Sequence, residues 1–176
     1  MLIIKQATRE EYHEIIQFYC DLMDDMKDAE HKTAWKIGVY PTEQLFRDAI
    51  DKHTLYIANM GSVLVGAMIL NHECAAEYAK AKWITEAKKE EVMVVHLLAV
   101  SLAYQRKGIA KQMLKYAVEI CKKDSVKAIR LDILDDNSPA EKLYQSMGFH
   151  HAGTIKLFYE DTGLTDFNLY ELVISL

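Results

Sequence analysis

The sequence predicts an α/β fold in which a mixed β-sheet of about seven strands is flanked by helices. The main observation is the stretch from Val92 to Lys122, where an apolar run passes into apolar residues at helical spacing. Val92 to Ala99 is apolar except for His96, which is the composition of a strand buried on both faces. Shorter runs with strand character lie on both sides of this unit. Strands and helices that succeed one another in this way predict one sheet with helices packed on it.

The first third of the chain predicts one strand and two helices. Leu2 to Ala7 is typical of a short strand, and Thr8 with Glu11 has the pattern of a capping box that opens a helix. Thr42 is placed to cap a second helix, from Glu43 to Lys52. One side of the first helix and its continuation are acidic, which indicates either a solvated face or a rim that attracts a cationic amine: Asp21, Asp24, Asp25, Asp28 and Glu30.

The middle of the chain predicts a hairpin followed by a long connection. The arms are Thr54 to Met60 and Ser62 to Asn71, with Gly61 at the turn. Residues 72–91 then interrupt the sheet, and connections of this length are more often functional or mobile than filler. We expect a short helical turn over the site from part of this connection: Tyr78, Ala79, Lys82 and Trp83.

The last third continues the sheet. After the helix that begins near Gly108, Lys127 to Leu134 alternates as a strand does. A helix is predicted from Pro139 to Met147, since proline is favoured in the first turn and a glycine follows the last residue. The final antiparallel pair comprises Phe149 to Phe158 and Phe167 to Ile174, joined by Glu160 to Gly163.

Length and composition limit the class of protein. A chain of 176 residues, 51% hydrophobic and 27% charged, predicts one globular domain over residues 1–176. The net charge of −5 argues against nucleic acid as the main partner. The three cysteines, Cys20, Cys74 and Cys121, fit reduced thiols. We expect a cytoplasmic protein with no signal peptide and no membrane span, and the sequence allows a homodimer.

The loop between the central strand and its helix has the features of a pyrophosphate cradle. The first N–H groups of a helix lack intrahelical partners, and the positive end of the helix dipole lies behind them. Gly108 permits close approach of the backbone to a ligand, and Arg106 and Lys107 add positive charge. The alternative is an ordinary strand-to-helix connection that happens to hold a glycine and a basic pair.

Two ordered motifs closely resemble the GNAT superfamily of N-acetyltransferases. Leu98 to Val100 is followed by a loop in which Gln105, Gly108 and Ala110 match the family pattern Gln/Arg-x-x-Gly-x-Gly/Ala. Residues 137–149 match a second family pattern, Asn-x-x-Ala-x-x-x-Tyr-x-x-x-Gly-Phe. The resemblance covers most of the chain. It implies the GNAT fold and acetyl transfer from acetyl-CoA to a primary amine in a ternary complex.

The resemblance also implies roles for single residues. Leu98 would donate its N–H to the thioester oxygen, and Asn137 would hold the pantetheine arm unless it is a plain helix cap. Tyr144 matches the position whose phenol protonates the departing thiolate, the alternative being a tyrosine packed on its own helix. The implied cofactor-binding residues are Leu98, Ala99, Val100, Gln105, Arg106, Lys107, Gly108, Ile109, Ala110, Lys111, Asn137, Ala140 and Tyr144.

The proton acceptor for the attacking amine has three candidates. An alkylamine is mostly protonated at neutral pH, so a base is needed, directly or through water. His96 lies in the central strand two residues before Leu98, and a core histidine is the alternative interpretation. Asp132 precedes Asn137 by five residues, where some family members carry an acidic group, but it also fits a polar strand position. Glu73 is a weaker third candidate.

The acceptor is expected to contact the parts of the fold that vary in the family. The predicted contacts are Trp35 and Tyr40 in the first variable segment and Glu73, Tyr78 and Trp83 in the 72–91 connection. Aromatic walls and an acidic rim favour a small cationic or aromatic amine. A small-molecule amine and a peptide amine both remain open as acceptors.

Other chemistries lack their motifs. Histidines such as His13, His31 and His53 show no metal-ligand spacing, so we expect no metal. A Walker loop and a Gly-x-Gly-x-x-Gly turn are both missing. The alternative function is a catalytically silent acyl-CoA-binding or regulatory module of the same fold.

Overall fold

The computed structural model describes residues 1–27 and 35–175, so Asp28, Glu30 and His31 lie outside the described residues. Within them the chain forms seven strands and four α-helices in the predicted order, and the mixed-sheet fold is confirmed. The strands are β1 (Leu2–Gln6), β2 (Leu55–Met60), β3 (Val63–Asn71), β4 (Val92–Val100), β5 (Ala128–Leu134), β6 (His150–Tyr159) and β7 (Gly163–Val173). The helices are α1 (Tyr12–Asp25), α2 (Glu43–Asp51), α3 (Ile109–Lys123) and α4 (Ser138–Ser146).

The chain divides into two compact units. The first comprises Met1–Leu70 and His96–Leu114, and the second comprises Asn71–Val95 and Lys115–Leu176. The strand order of the sheet is β1-β2-β3-β4-β5-β7-β6. Both β4 and α3 contribute residues to each unit.

The first unit is built on antiparallel β1–β2 and β2–β3 pairs covered by α1 and α2. In the β1–β2 pair, Leu2 lies opposite Met60. The β2–β3 hairpin turns at Gly61, as predicted. Apolar residues of both helices and of the strands form one core cluster that includes Ile15, Tyr19 and Phe46, all with no exposed surface. Burial of such large side chains is what holds amphipathic helices on a sheet.

Capping interactions fix where these two helices begin. The Thr42 hydroxyl accepts the Leu45 N–H at 3.1 Å, which confirms the predicted start of α2. The Glu11 carboxylate accepts the Thr8 N–H at 2.9 Å, as a capping box requires. That box caps a 3₁₀ turn over Arg9–Glu11, however, and the α-helix begins only at Tyr12. A tighter first turn before an α-helix is common.

The second unit is a mixed sheet. Parallel pairing joins Val92–Val94 of β4 to Ala128–Arg130 of β5, and β5 and β6 both pair antiparallel with β7. The side-chain oxygen of Asn137 accepts the Ala140 N–H at 3.2 Å and caps α4. β7 begins at Gly163, not at Phe167 as predicted, because Leu164–Asp166 continue the ladder opposite β6 despite their weak strand pattern.

The 72–91 connection contains two short 3₁₀ turns, Ala76–Lys80 and Lys89–Glu91. The first includes Tyr78 and Ala79 but ends before Lys82 and Trp83, so the predicted turn is confirmed only in its first half. Among the helices in the described parts of the chain, none has the length and apolar character needed to cross a lipid bilayer.

Candidate active site

The predicted cradle is a main-chain turn at the start of α3, in the first unit. Gly108 has a φ of +80°, a left-handed conformation that glycine adopts without strain. The Gln112 N–H donates to the Gly108 carbonyl at 3.1 Å, so the donors of Ile109, Ala110 and Lys111 precede the first bond of this helical ladder. A Cβ added at Gly108 would meet nothing within 4 Å. The space beside Gly108 is therefore open, at the end of the helix where the first N–H groups precede the helical ladder.

Side chains of the same loop brace its backbone. Gln105 donates its amide to the Val100 carbonyl at 3.2 Å, and Lys107 donates to the Ala103 carbonyl at 3.0 Å. The Lys107 ammonium also lies 4.6 Å from the centre of the Tyr104 ring. Arg106, with a φ of +59°, is exposed. Two of the predicted cofactor residues thus hold the loop in shape, while Arg106 contributes exposed positive charge.

The cradle is anchored because α3 lies very close to the sheet of its unit. A Cβ at Gly66 of β3 would approach the Met113 sulfur at 2.9 Å, the Ala99 carbonyl oxygen at 3.1 Å and the Ile109 side chain at 3.4 Å. Ile109 itself is only 2% exposed. A Cβ at position 66 would therefore require the Met113 side chain to shift and would press on the Ala99 carbonyl oxygen.

The second half of β4 departs from regular strand geometry. Leu97 has a φ of +53°, which is unusual for a residue with a branched side chain and is the kind of irregularity found at β-bulges. The buried Tyr19 hydroxyl donates to the Leu97 carbonyl at 2.7 Å. Leu97 and Ala99 are buried, while His96, Leu98 and Val100 are half-buried. That His96 and Leu98 share a face stays a prediction, because the left-handed Leu97 between them interrupts the regular alternation of the strand.

In the second unit, Tyr144 lies on α4 with 6% of its surface exposed and its ring at 5.4 Å from that of Phe149, edge to face. Burial, and secondarily the charge of Asp132, raises the pKa of Tyr144 well above the ordinary value of a phenol. Tyr144 is therefore a neutral hydrogen-bond donor throughout the physiological pH range. Asn137 keeps its predicted place, with its side-chain oxygen engaged in the cap of α4.

Asp132 lies at the centre of a small polar cluster in the second unit. Its Oδ2 atom accepts the Tyr78 hydroxyl at 2.5 Å and the Tyr159 hydroxyl at 3.1 Å. Tyr78 is 3% exposed, and burial followed by the nearby Asp132 charge raises the pKa of Tyr78 well above its ordinary value. Two buried or half-buried phenols of different parts of the unit thus converge on one carboxylate oxygen.

The remaining predicted residues line the surfaces of the two units. Trp35 and Tyr40 are half-buried against the core of the first unit, and Trp35 contacts the Tyr19 ring edge to face at 5.9 Å. Glu73 is exposed and pairs with Lys89 at 2.9 Å. Trp83 is half-buried and donates its indole N–H to the Tyr78 carbonyl at 2.8 Å. The Trp83 and Tyr78 rings are tilted by 43° with their centroids 5.4 Å apart.

A buried ion pair fastens the 72–91 connection to β5 and β7. The Glu171 side chain has no exposed surface; one oxygen accepts from Arg130 at 3.0 Å, and the other accepts the Ile84 and Thr85 N–H groups at 2.7 and 3.0 Å. Arg130 also donates to the Thr85 carbonyl at 2.8 Å and lies 4.2 Å above the Trp83 ring. The clamp, defined as Arg130, Glu171, Trp83, Ile84 and Thr85, gives the connection a fixed course.

Sequence reasoning missed the clamp and the Tyr19 bond. Glu171 and Arg130 stand in strands at ordinary polar positions, and only their pairing across the β5–β7 ladder makes them partners. Tyr19 has helical spacing and so indicates a core residue, but its acceptor is 78 positions away. In residues 1–27 and 35–175, no three His, Cys, Asp or Glu side chains are grouped as metal ligands.

The similarities to known proteins all point to one family. The sequence model of the acetyltransferase (GNAT) family matches residues 11–149. An Escherichia coli K12 protein, named as the alanine N-acetyltransferase of ribosomal protein bS18, is 26% identical over 122 residues, 69% of this chain and 79% of that protein. A Bacillus subtilis relative is 29% identical over 66 residues, 38% of this chain and 44% of that protein.

Solved structures share the fold at low sequence identity. A GNAT-family acetyltransferase from Listeria monocytogenes has a TM-score of 0.75 and 19% identity, over 98% of this chain and 94% of that one. The structure of yncA from Salmonella typhimurium with its cofactor acetyl-CoA has a TM-score of 0.69 and 13% identity, over 99% and 94% of the two chains. At such identities the likeness concerns the fold alone.

Proposed function

The chain belongs to the acetyltransferase (GNAT) family and is an acetyl-CoA-dependent N-acetyltransferase, and we propose that a primary amine attacks the thioester directly in a ternary complex. The observation that carries this proposal is the left-handed turn at Gly108, which opens α3 and has free space beside its Cα atom. This turn fits the pyrophosphate of coenzyme A, because helix N-termini bind phosphate through main-chain donors and the dipole.

We assign cofactor binding to the first turn of α3 and to β4. The N–H groups of Ile109, Ala110 and Lys111 would bind pyrophosphate oxygens, with Arg106 supplying exposed positive charge. The half-buried face of β4 at Leu98 and Val100 would lie along the pantetheine arm. Asn137 and Ala140 remain proposed pantetheine contacts, with the Asn137 side-chain NH₂ available because its oxygen caps α4.

The thioester carbonyl becomes an oxyanion as the amine attacks, and a preorganised N–H donor stabilises that charge. We assign this donor to Leu98, which follows the left-handed residue of β4. Because the fold already sets the direction of this N–H, no free energy is spent on reorienting it during the reaction. The collapse of the tetrahedral intermediate then breaks the carbon–sulfur bond.

For the base we favour His96 over Asp132. Two phenol donors already occupy one oxygen of Asp132, where they compete with an incoming proton. His96 is half-buried on β4, two residues before Leu98, and histidine is the side chain that most often serves as a general base. Glu73 is the weakest candidate because it is paired with Lys89 at the surface.

We assign to Tyr144 the stabilisation of the departing thiolate. A buried, neutral phenol donates a hydrogen bond to the sulfur as negative charge develops there. Its raised pKa makes complete proton transfer to the sulfur less favourable than for an ordinary phenol. The hydrogen bond itself supplies the stabilisation, and the proton lost by the amine completes the thiol.

For the acceptor we infer a primary amine on a peptide or a small molecule. The E. coli relative acts, by its name, on the alanine of a ribosomal protein, which supports a peptide α-amine. The exposed acidic residues of α1, Asp21, Asp24 and Asp25, support an acceptor with positive charge. Trp35, Tyr40 and Trp83 stay proposed contacts, and Tyr78 would support Trp83 by stacking.

The test is thiol release from acetyl-CoA with a panel of amines: a polyamine, an aromatic amine, and a peptide that begins with alanine. The same peptide with a blocked N-terminus is the matched control, and mass spectrometry locates the acetyl group. We expect transfer to at least one amine and none to the blocked peptide α-position. Tight binding of acetyl-CoA with no amine-dependent thiol release would instead establish the silent acyl-CoA-binding module.

A further inference from the structure

Tyr19 makes a buried hydrogen bond whose position bears directly on the proposed chemistry. Its hydroxyl donates to the Leu97 carbonyl at 2.7 Å. That carbonyl and the N–H of Leu98 belong to one planar peptide group, because the amide joins the C=O of a residue to the N–H of the next. A bond to one end of this group therefore fixes the direction of the other end.

The backbone at this point needs such support. Leu97 has a φ of +53°, and a side-chain-bearing residue pays a conformational penalty there. The residue is buried inside β4, where a carbonyl oxygen needs a hydrogen-bond donor from within the protein. The Tyr19 phenol meets this need from α1.

Tyr19 is itself held rigidly. It has no exposed surface, its ring lies 4.8 Å from that of Phe46, and it contacts Phe18 and Trp35 edge to face at 5.2 and 5.9 Å. Burial raises the pKa of Tyr19 far above the ordinary phenol value, so the group stays protonated. The ring contacts hold the Tyr19 phenol where its hydroxyl donates to the Leu97 carbonyl.

We propose that Tyr19 is a positioning residue for acetyl transfer, which orients and polarises the Leu97–Leu98 peptide so that the Leu98 N–H is preorganised for the developing oxyanion. This inference rests on the proposed function. Hydrogen bonds in a chain strengthen one another, so a donor on the carbonyl makes the N–H of the same amide a better donor. Tyr19 would act only through this peptide and would touch neither substrate.

The test compares Tyr19→Phe with Tyr12→Phe. Both replacements remove one phenol oxygen from a buried tyrosine of α1, but the Tyr12 hydroxyl bonds to Glu43, at 2.8 Å, and not to β4. Loss of a complete oxyanion donor lowers kcat about 10²- to 10³-fold. Since Tyr19→Phe leaves the N–H in place and removes only its support, we expect about a tenfold lower kcat with KM for acetyl-CoA within about twofold. Tyr12→Phe should keep the wild-type kcat.

A spectroscopic measurement separates positioning from a general loss of packing. Acetyl-CoA labelled with carbon-13 at the thioester carbonyl is bound to each protein, and the carbonyl stretch is recorded by difference infrared spectroscopy. Hydrogen bonding from Leu98 should lower the frequency in the wild type, and Tyr19→Phe should return it part of the way toward the value in solution. Fluorotyrosine at position 19, a stronger donor that keeps the ring, should lower the frequency further, and this arm does not depend on how well Tyr19→Phe folds.

The possible outcomes distinguish failure of the positioning role of Tyr19 from failure of the proposed acetyltransferase function. If the wild type transfers acetyl groups but neither kcat nor the carbonyl frequency responds at position 19, the role of Tyr19 is overturned and the proposed function stands. If the wild type transfers to no amine and binding leaves the carbonyl frequency at its solution value, the proposed function fails and the role of Tyr19 fails with it. A slower Tyr19→Phe with the shifted frequency supports the inference.

Discussion

Replacing Glu171 by alanine should destabilise the protein more than any exposed charge replacement in the same sheet. The carboxylate has no exposed surface and accepts three hydrogen bonds, from Arg130, Ile84 and Thr85. Its removal leaves the Arg130 guanidinium, whose side chain is 12% exposed, without a counter-charge. It also leaves two backbone N–H groups of the connection without their acceptor.

The expected magnitude follows from those losses. Removing one partner of a buried ion pair costs about 3–5 kcal/mol, because the remaining charge is left desolvated. For a chain of this size, each kcal/mol lowers Tm by roughly 2–4 °C, so the shift should be about 6–20 °C. The double variant Arg130→Met/Glu171→Ala should be less destabilised than Glu171→Ala alone, since it removes the stranded cation as well.

Thermal and urea unfolding followed by circular dichroism measure these differences. Asp166→Ala is the matched control, because Asp166 also lies on β7 and pairs with Lys156 at 3.0 Å, but both side chains are about half exposed. Such a surface pair contributes at most about 1 kcal/mol. A free energy of unfolding for Glu171→Ala within about 1 kcal/mol of the wild-type value, or a double variant less stable than Glu171→Ala, would contradict the role assigned to the buried ion pair.

Three further predictions concern the site. The wild type should bind acetyl-CoA with a free energy of about −8 kcal/mol, or roughly micromolar affinity, and Gly108→Val should abolish most of this binding, as measured by calorimetry. The control is Gly61→Val in the hairpin turn, which carries a similar backbone strain at a φ of +65° and should bind acetyl-CoA normally. Tyr144→Phe should lower kcat by about one to three decades at unchanged cofactor affinity, and a wild-type rate with saturating amine would remove Tyr144 from the mechanism. Gly66→Ala should destabilise the protein by about 1–3 kcal/mol in urea, because its Cβ would approach the Ala99 carbonyl oxygen at 3.1 Å, and an unchanged midpoint would contradict that contact.

Local patterns in the sequence were sufficient to predict most of the fold. Thr42 and Asn137 cap the helices they were expected to cap, since a cap depends on residues only three positions apart. The start of β7 was wrong by four residues because Gly163 to Asp166 has little strand propensity and is ordered by pairing with β6. Long-range pairing overrides local propensity at such positions.

The site was predictable where it consists of a local motif, and not where it depends on distant partners. The turn from Gln105 to Ala110 could be predicted because it depends on consecutive residues, and the function proposed for it lies in their main-chain groups. The roles of Gln105 and Lys107 as braces could not, because each depends on the folded path of the loop. Likewise, nothing near Asp132 in the sequence indicates that Tyr78 and Tyr159 bond to it from 54 and 27 positions away.

The main-chain character of the turn at Gly108 has a consequence for how this protein can change. A phosphate site formed by main-chain N–H groups depends little on which side chains are present, because every residue but proline carries the same donor. Mutations that alter charge at Arg106 or Lys111 would tune the affinity for coenzyme A without destroying it. A designer who wishes to exchange the acceptor can therefore keep the left-handed glycine, the buried Ile109 and the bracing side chains Gln105 and Lys107, and leave the charge at Arg106 and Lys111 free to vary.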